Sequence, residues 1–455
     1  MVTENPLFQL EPDQIDYLRE GFEASQGALS PYAARDIDAV YENRGSVAGG
    51  ADADAPDPRD ADLASLESDR GFGGLFAQAA RDAARERRLN AEAPYDPSGQ
   101  LYLRSPYVAD VDRVLNNPFF TRTFDKTQVF SLYRNDNISR RGFHIQLVAQ
   151  TAMKIGRALR LNVPLVEAIG LGHDAGHTPF GHAGEHFLSD IYHERTGRYF
   201  NHNVHSVRAL RSVAPCNLSL QAYNGMLCHC GENNFATYTT EPCPTFEALD
   251  EVMEQCYQKK GYSSCLRPST LEGCVVRISD ILAYLGKDRQ DAIETGIITK
   301  AEYPLDSFLG RNNADIIRNV STNIVKNSIG RDCIRMDEEV SDEIRRLKKG
   351  NYEEIYGYDS ADKKLSTYIR PMMHELYLHF VEDFEAGREE SPIFTEHVNS
   401  WFVLHRNRGY RNNPVDDIVC DFIASLTDDY LVELYRHVFP NDPKSQLDLY
   451  VPYFD

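Results

Sequence analysis

The sequence predicts an all-α protein, and three observations carry that reading. Apolar residues recur at helical spacing through long stretches, as in Arg140 to Leu161, where Phe143, Leu147, Ala149, Ala152, Ile155, Ala158 and Leu159 form a stripe. No β-α-β alternation, G-x-G-x-x-G, P-loop or internal repeat interrupts the pattern. Beyond residue 300 the spacing is heptad-like, with Ile316, Val320 and Ile324, then Met373, Leu376, Phe380 and Phe384, then Val419, Phe422 and Leu426.

In chain order, residues 1 to 45 carry a helix-compatible pattern in Ile15, Leu18 and Phe22. Gly49 to Asp62 (GGADADAPDPRDAD) then lacks the apolar groups needed to offset ordering entropy, which predicts a mobile acidic loop. Apolar density recovers from Leu101. After the first strong helix, Val163 to Gly172 predicts a short second one with Pro164 in its first turn, ending at His173 and Asp174. Gly176, Pro179 and Gly181 force a turn before a helix resumes at Ala183 to Tyr192. Helices are expected again at 202–215 and 246–260, and Leu271 to Gly286 is a further apolar helix carrying one acid, Asp280. The expected organisation is a helical segment with its acidic loop (residues 1–100), a core (101–300) and a helical C-terminal region (301–455).

Bulk properties narrow the partners. With 69 acidic against 48 basic residues the net charge is −21, a field that repels phosphate polymers, so nucleic acid is an unexpected partner, whereas a small anion held by buried arginines and a cation is allowed. No apolar run approaches the roughly 18 to 20 residues of a membrane span, and the acidic N-terminus lacks a leader pattern, so a soluble cytoplasmic protein is expected. Of nine cysteines, six (Cys216, Cys228, Cys230, Cys243, Cys256, Cys265) crowd the stretch before Cys274. Their spacing follows no paired C-x2-C rule, which favours free thiols over a structural zinc site, with Cys228-His229-Cys230 the segment best able to overturn that expectation.

The densest chemistry is Gly172 to His186, GHDAGHTPFGHAGEH, holding four of the fourteen histidines. Imidazoles and carboxylates are costly to desolvate without partners, so such a run is either a solvated loop or a site that handles metal ions and protons. Four residues stand out as metal ligands: His144 on one helix, His173 and Asp174 at the end of a second, and Asp280 on a third. Two imidazoles and two carboxylates suit Mn²⁺, Fe²⁺ or Zn²⁺, with Mg²⁺ also possible. Taken alone, each histidine is more simply a satisfied core residue.

The combination H…HD…D, spread over helices of an all-α chain, resembles the HD-domain metal-dependent phosphohydrolases. Further segments resemble one branch, the deoxyguanosine triphosphate triphosphohydrolases and relatives acting on deoxynucleoside triphosphates: KTQVF (126–130), HDAGHTPFGHAGE (173–185), FNHNVHSVRAL (200–210), GMLCHCGE (225–232) and PSTLEGCVVRISDILAY (268–284). The resemblance implies an HD-domain helical core with additional C-terminal helices. It implies His144, His173, Asp174 and Asp280 as metal ligands, and His182 with Glu185 as a catalytic dyad, which their spacing on one helix face permits. It further implies His177 and Arg141 at the phosphates, Gln128 and Asp288 at the sugar 3′-hydroxyl, Tyr284 against C2′, and site roles for His202 and His229. Tyr284 and Asp288 follow Asp280 at i+4 and i+8, which would align all three on one face.

The implied reaction converts a deoxynucleoside triphosphate, dGTP or a broader set, and water into deoxynucleoside and tripolyphosphate. Implied partners are further copies of the chain, up to a hexamer, and a nucleotide activator. The chain departs from the family in reading SRRGFH where RTRxxH is usual, in the acidic stretch at 49–62, in the cysteine-rich segment and in its C-terminal third, which leaves base specificity open. The rivals are another HD phosphohydrolase, which would not need PFGHAGE, and a nucleotide-sensing protein without turnover, which would show eroded ligands.

Overall fold

The computed structural model describes residues 5–16, 18, 106–230, 236–299, 305–356 and 363–453. The acidic stretch expected to be a mobile loop lies outside them. Among the described residues every named regular element is helical apart from a two-residue antiparallel pair, β1 (Thr237–Tyr238) with β2 (Ile334–Arg335).

The helices that build the site are α1 (Pro106–Leu115), α2 (Arg141–Ala158), α3 (Val163–Gly172), α4 (Gly181–Thr196), α5 (His202–Arg208) and α6 (Leu220–Leu227). They continue as α7 (Phe246–Gln258), α8 (Leu271–Leu285), α9 (Lys287–Glu294), α10 (Asn313–Ser328), α11 (Glu338–Asn351), α12 (Arg370–Glu385), α13 (Val415–Ser425) and α14 (Asp428–Val438). Their starts are encoded locally. Asn162 accepts from the Leu165 N–H at α3, Ser219 from Ala222 at α6, Thr270 from Gly273 at α8 and Asn312 from Asp315 at α10, each satisfying a donor that the first turn would otherwise leave open.

Helix α3 is apolar except for the part-buried Glu167, and it occupies the middle: Leu165, Val166, Ala168 and Ile169 are fully buried, with α1, α2, α6 and α8 packed about it. This placement matters because α3 ends at His173 and Asp174. Around that centre, α12 and α13 pack on α4, so one apolar cluster runs from Tyr107 to Leu449 and takes in the C-terminal helices. Near the N-terminus, Leu7 and Gln14 are tied to α10 through Asn323 Nδ2 on the Leu7 carbonyl (2.7 Å) and Gln14 Nε2 on the Lys326 carbonyl (2.8 Å). No helix among the described residues is long and apolar enough to cross a membrane.

The expected helix over 271–286 is observed as α8, which stops at Leu285, and Asp288 sits in the first turn of the next helix, α9. The backbone of Asn313 crosses so close to the residue between them that a Cβ on Gly286 would lie 2.9 Å from its Cα.

Candidate active site

The turn between α3 and α4 is built by residues that only short-range sterics and buried hydrogen bonds can hold. Gly176 lies against α5 so closely that an added Cβ would stand 2.2 Å from the Ser206 nitrogen. Its N–H donates to Ser206 Oγ (2.9 Å), and its carbonyl faces His205 Nδ1 (2.8 Å). Phe180 adopts the left-handed conformation (φ 61°) with Gly181 following at φ 57°, an unfavourable placement for a non-glycine side chain. The Phe180 N–H is held by Asp428 (3.0 Å), which also accepts from the Thr127 hydroxyl. Buried Lys126 donates to the His177 and Ala424 carbonyls, joining the turn to α13. The turn is clamped from three sides.

Inside this frame the four expected metal ligands converge. His144 Nε2 lies 2.9 Å from Asp280, and the His144 and His173 rings are 5.7 Å apart. His173 Nδ1 faces the Gly170 carbonyl at 2.7 Å; an oxygen that only accepts fixes the proton there and leaves Nε2 as a bare lone pair. That Nε2 is buried with no hydrogen-bond partner and stands 3.6 Å from Asp174. Burial would raise the Asp174 carboxyl, but the neighbouring His173 ring and the Arg141 guanidinium hold it well below the usual range. Asp280 is likewise held low by the His144 hydrogen bond against its own desolvation. An unsatisfied imidazole nitrogen between two ionised carboxylates is the donor set a divalent cation needs, so the residues fit the implied metal.

A second group lies alongside. Donor atoms of His177, His182, Glu185 and His202 fall within 4.8 Å of one another. His177 stacks on His202 with centroids 4.5 Å apart, its Nε2 buried and without a hydrogen-bond partner. Burial pushes the His177 imidazole well down, so it is neutral at physiological pH. The hydrogen bonds of Glu185 differ from the expected dyad. The carboxylate accepts from the backbone N–H of His202 (2.8 Å) and from His202 Nδ1 (2.8 Å), while exposed His182 stands beside the pair, its ring 5.8 Å from that of His202. The reason is that α5 brings His202 directly over Glu185, whereas neighbours one turn apart on α4 project side by side. Burial works against the Glu185 carboxylate, yet His202 holds it at about 2.

The remaining expected residues are distributed around these groups. Buried Arg141 pairs with Asp174 and donates to the Gln128 carbonyl (3.2 Å), and Gln128 keeps a buried, unpartnered Oε1. Asp288 accepts from the Tyr356 hydroxyl (2.5 Å), and burial pushes its carboxyl up to about 7. Tyr284, at the end of α8, is part-buried against the main core and near enough to Tyr356 to act on its charge. Several positioning residues carry no signal in the sequence. They are Tyr356, Asp428, and Asp421 on α13, which receives both Arg208 nitrogens (2.7 and 2.8 Å) and the Tyr410 hydroxyl (2.9 Å) and so anchors α5. Lys126 and Thr127 do carry one, since they sit within KTQVF, the segment from which only Gln128 is assigned by resemblance.

Comparison with known proteins identifies the family. The HD domain family model matches residues 141–285 and the phosphohydrolase-associated domain model matches 334–437. A deoxyguanosinetriphosphate triphosphohydrolase-like protein of Desulfatibacillum aliphaticivorans is 30% identical over 358 residues, covering 75% of this chain and 90% of that protein. The chain belongs to this family of HD-domain phosphohydrolases. Similar family members include those of Caldanaerobacter subterraneus, 29% identical with 75% and 87% covered, and Thiobacillus denitrificans, 29% identical with 80% and 97% covered. Membership accounts for the all-α architecture and makes the chain a hydrolase, and the matched C-terminal model covers the region that supplies Asp421 and Asp428 to the turn. All nine cysteines are free thiols, and Cys230, unlike the rest, sits against the site imidazoles.

Proposed function

We propose that the chain hydrolyses deoxynucleoside triphosphates to deoxynucleoside and tripolyphosphate. The observation that carries this reading is the meeting of the ligand set His144, His173, Asp174 and Asp280 with a separate imidazole group, His177, His182 and His202, braced by Glu185. A divalent cation, of which Mn²⁺, Mg²⁺, Fe²⁺ and Zn²⁺ all match the donors, supplies Lewis-acid polarisation of a phosphoryl oxygen when bound. Arg141 and neutral His177 line the same space and bind phosphate oxygens, the guanidinium through its planar fork. Exposed His182 is the residue that protonates the leaving 5′-oxygen. Glu185 positions His202, which stacks under His177 and keeps the imidazole group in register. Gln128 and Asp288 hold the sugar 3′-hydroxyl: Gln128 offers a buried unpartnered oxygen, and Asp288 a carboxyl half-protonated near neutrality, able to donate as well as accept. Tyr284 closes on C2′.

Incubation of the full chain with dGTP and Mn²⁺ is expected to release tripolyphosphate, with His182→Ala lowering kcat by about 10²- to 10⁴-fold, the usual size of a general acid's contribution. Release of pyrophosphate or monophosphate would overturn the reaction. The family resemblance also supports a cytoplasmic homo-oligomer activated by a nucleotide, and a panel of the four deoxynucleotides, singly and mixed, reads both base preference and activation of one by another.

A further inference from the structure

We infer that His205 is a positioning residue of the active turn: it holds the peptide plane between Gly176 and His177 and so aims the His177 ring. That plane carries the Gly176 carbonyl at one end and the His177 N–H at the other. The N–H donates back to the Asp174 carbonyl (3.0 Å), and the Gly176 carbonyl accepts from His205 Nδ1 (2.8 Å). Gly176 has no side chain, so its backbone turns easily unless both ends of the plane are held. The ring that the plane directs is buried, with an Nε2 that has no hydrogen-bond partner, so its usefulness to a phosphate oxygen depends on where the backbone points it.

His205 can do this because it is itself held from the far side. Its Nε2 lies 3.2 Å from Asp421 Oδ1 on α13. Burial would raise the Asp421 carboxyl, but the Arg208 guanidinium holds it well below the usual carboxylate range, so it is an ionised acceptor. A carbonyl and a carboxylate only accept, so the ring donates from both nitrogens and cannot leave either partner without stranding a buried group. The rings of Phe200 and Phe119 pack on it at centroid distances of 5.1 and 6.4 Å. The next residue, Ser206, takes the Gly176 N–H, so consecutive residues of α5 grip both polar atoms of one glycine. The two bonds of His205 are chemically separable: an asparagine places its amide nitrogen where Nδ1 stands, and a glutamine places its own where Nε2 stands. The bond to Gly176 sets the aim of the turn, and the bond to Asp421 anchors the ring that makes it.

This inference rests on the proposed reading of His177 as a phosphate-binding group. Full-length His205→Asn and His205→Gln are compared with the wild type by steady-state kinetics with dGTP and Mn²⁺ and by hydrogen exchange read by mass spectrometry. His205→Asn keeps the donor to Gly176 and is expected to retain most of kcat. His205→Gln keeps only the bond to Asp421 and is expected to lose about 10²-fold in kcat with KM near the wild-type value, the effect of moving a working group by about 1 Å. Amides of residues 175–178 are expected to exchange faster in the Gln variant, while those of α13 do not. A tie that serves only to fasten α5 to α13 gives the reverse, so a Gln variant that keeps its kcat, or a folded Asn variant that loses it, overturns the inference. Glutamine is close to histidine in volume, so the exchange comparison stands even where the Asn variant does not fold, and unchanged exchange of the turn in the Gln variant also overturns it. A wild-type chain that leaves dGTP intact refutes the proposed reaction instead, and the exchange comparison then decides the role of His205 by itself.

Discussion

At the scale of single residues, burial and neighbouring groups move the ionisation of Asp288 and Glu185 in opposite directions. Asp288 shows this in a form that solution measurements reach. Its carboxyl is raised to about 7 chiefly by burial, against a value near 3.9 in an unfolded chain. Between those values the folded state binds a proton that the unfolded state does not, so this residue's contribution to stability falls as pH rises through that window and is flat above it. About three units at about 1.4 kcal/mol each sets an upper bound of about 4 kcal/mol. Asp288→Asn is expected to remove this slope: urea midpoints of variant and wild type should diverge between pH 4 and pH 7 in favour of the variant, and parallel curves would refute the burial argument. Glu185 has the opposite sign. Held at about 2 by His202, it contributes stability above the unfolded carboxylate range and loses it as pH falls below that range. The histidines of GHDAGHTPFGHAGEH were legible as a site because imidazoles and carboxylates at that density are costly to bury unless they share a cation or a proton, but their pairings were not. Whether Glu185 braces His182 or His202 depends on where α5 lies, and residue spacing along α4 cannot contain that information.

At the scale of elements, the strained turn 176–181 is held in place by the C-terminal helices. Asp428, at the start of α14, accepts from the Thr127 hydroxyl and from the N–H of left-handed Phe180. Asp428→Ala leaves those buried donors without partners, at about 1 to 3 kcal/mol each, and lets Phe180 relax. A lower Tm and a fall in kcat that exceeds any change in metal affinity are expected, with Asp428→Asn, which keeps an acceptor oxygen, recovering part of both. Equal losses in kcat and metal affinity would place Asp428 at the metal rather than at the turn. The helices themselves were largely legible: Val163 to Gly172 matches the structure end to end, and Arg140 to Leu161 was placed within a few residues. What the period does not contain is the break between α8 and α9 at Gly286, where the backbone of Asn313 from α10 lies so close that only a residue without a side chain fits.

At the scale of the molecule, metal and fold are thermodynamically coupled, because His144, Asp174 and Asp280 are brought together only when α2, α3 and α8 pack. A ligand that binds this assembly and not the unfolded chain stabilises by about 2.7 kcal/mol at a hundredfold excess over its Kd. Chelation is therefore expected to lower Tm and added Mn²⁺ to restore it, followed by differential scanning calorimetry; an unchanged Tm would mean the ligands are equally available in the unfolded chain. What the sequence by itself determined is the set of parts: an all-α chain, the start of α3 marked by Pro164, and the residue types that handle metal and phosphate. These are local properties, set by period, capping and side-chain chemistry within a few residues. The tertiary structure alone decided the rest: that Cys230 stands against the site imidazoles, and that Asp421 and Asp428 hold the active turn. Those contacts join residues far apart in the chain, and they exist because an apolar α3 must be buried in the middle of the fold, which carries His173 and Asp174 there with it.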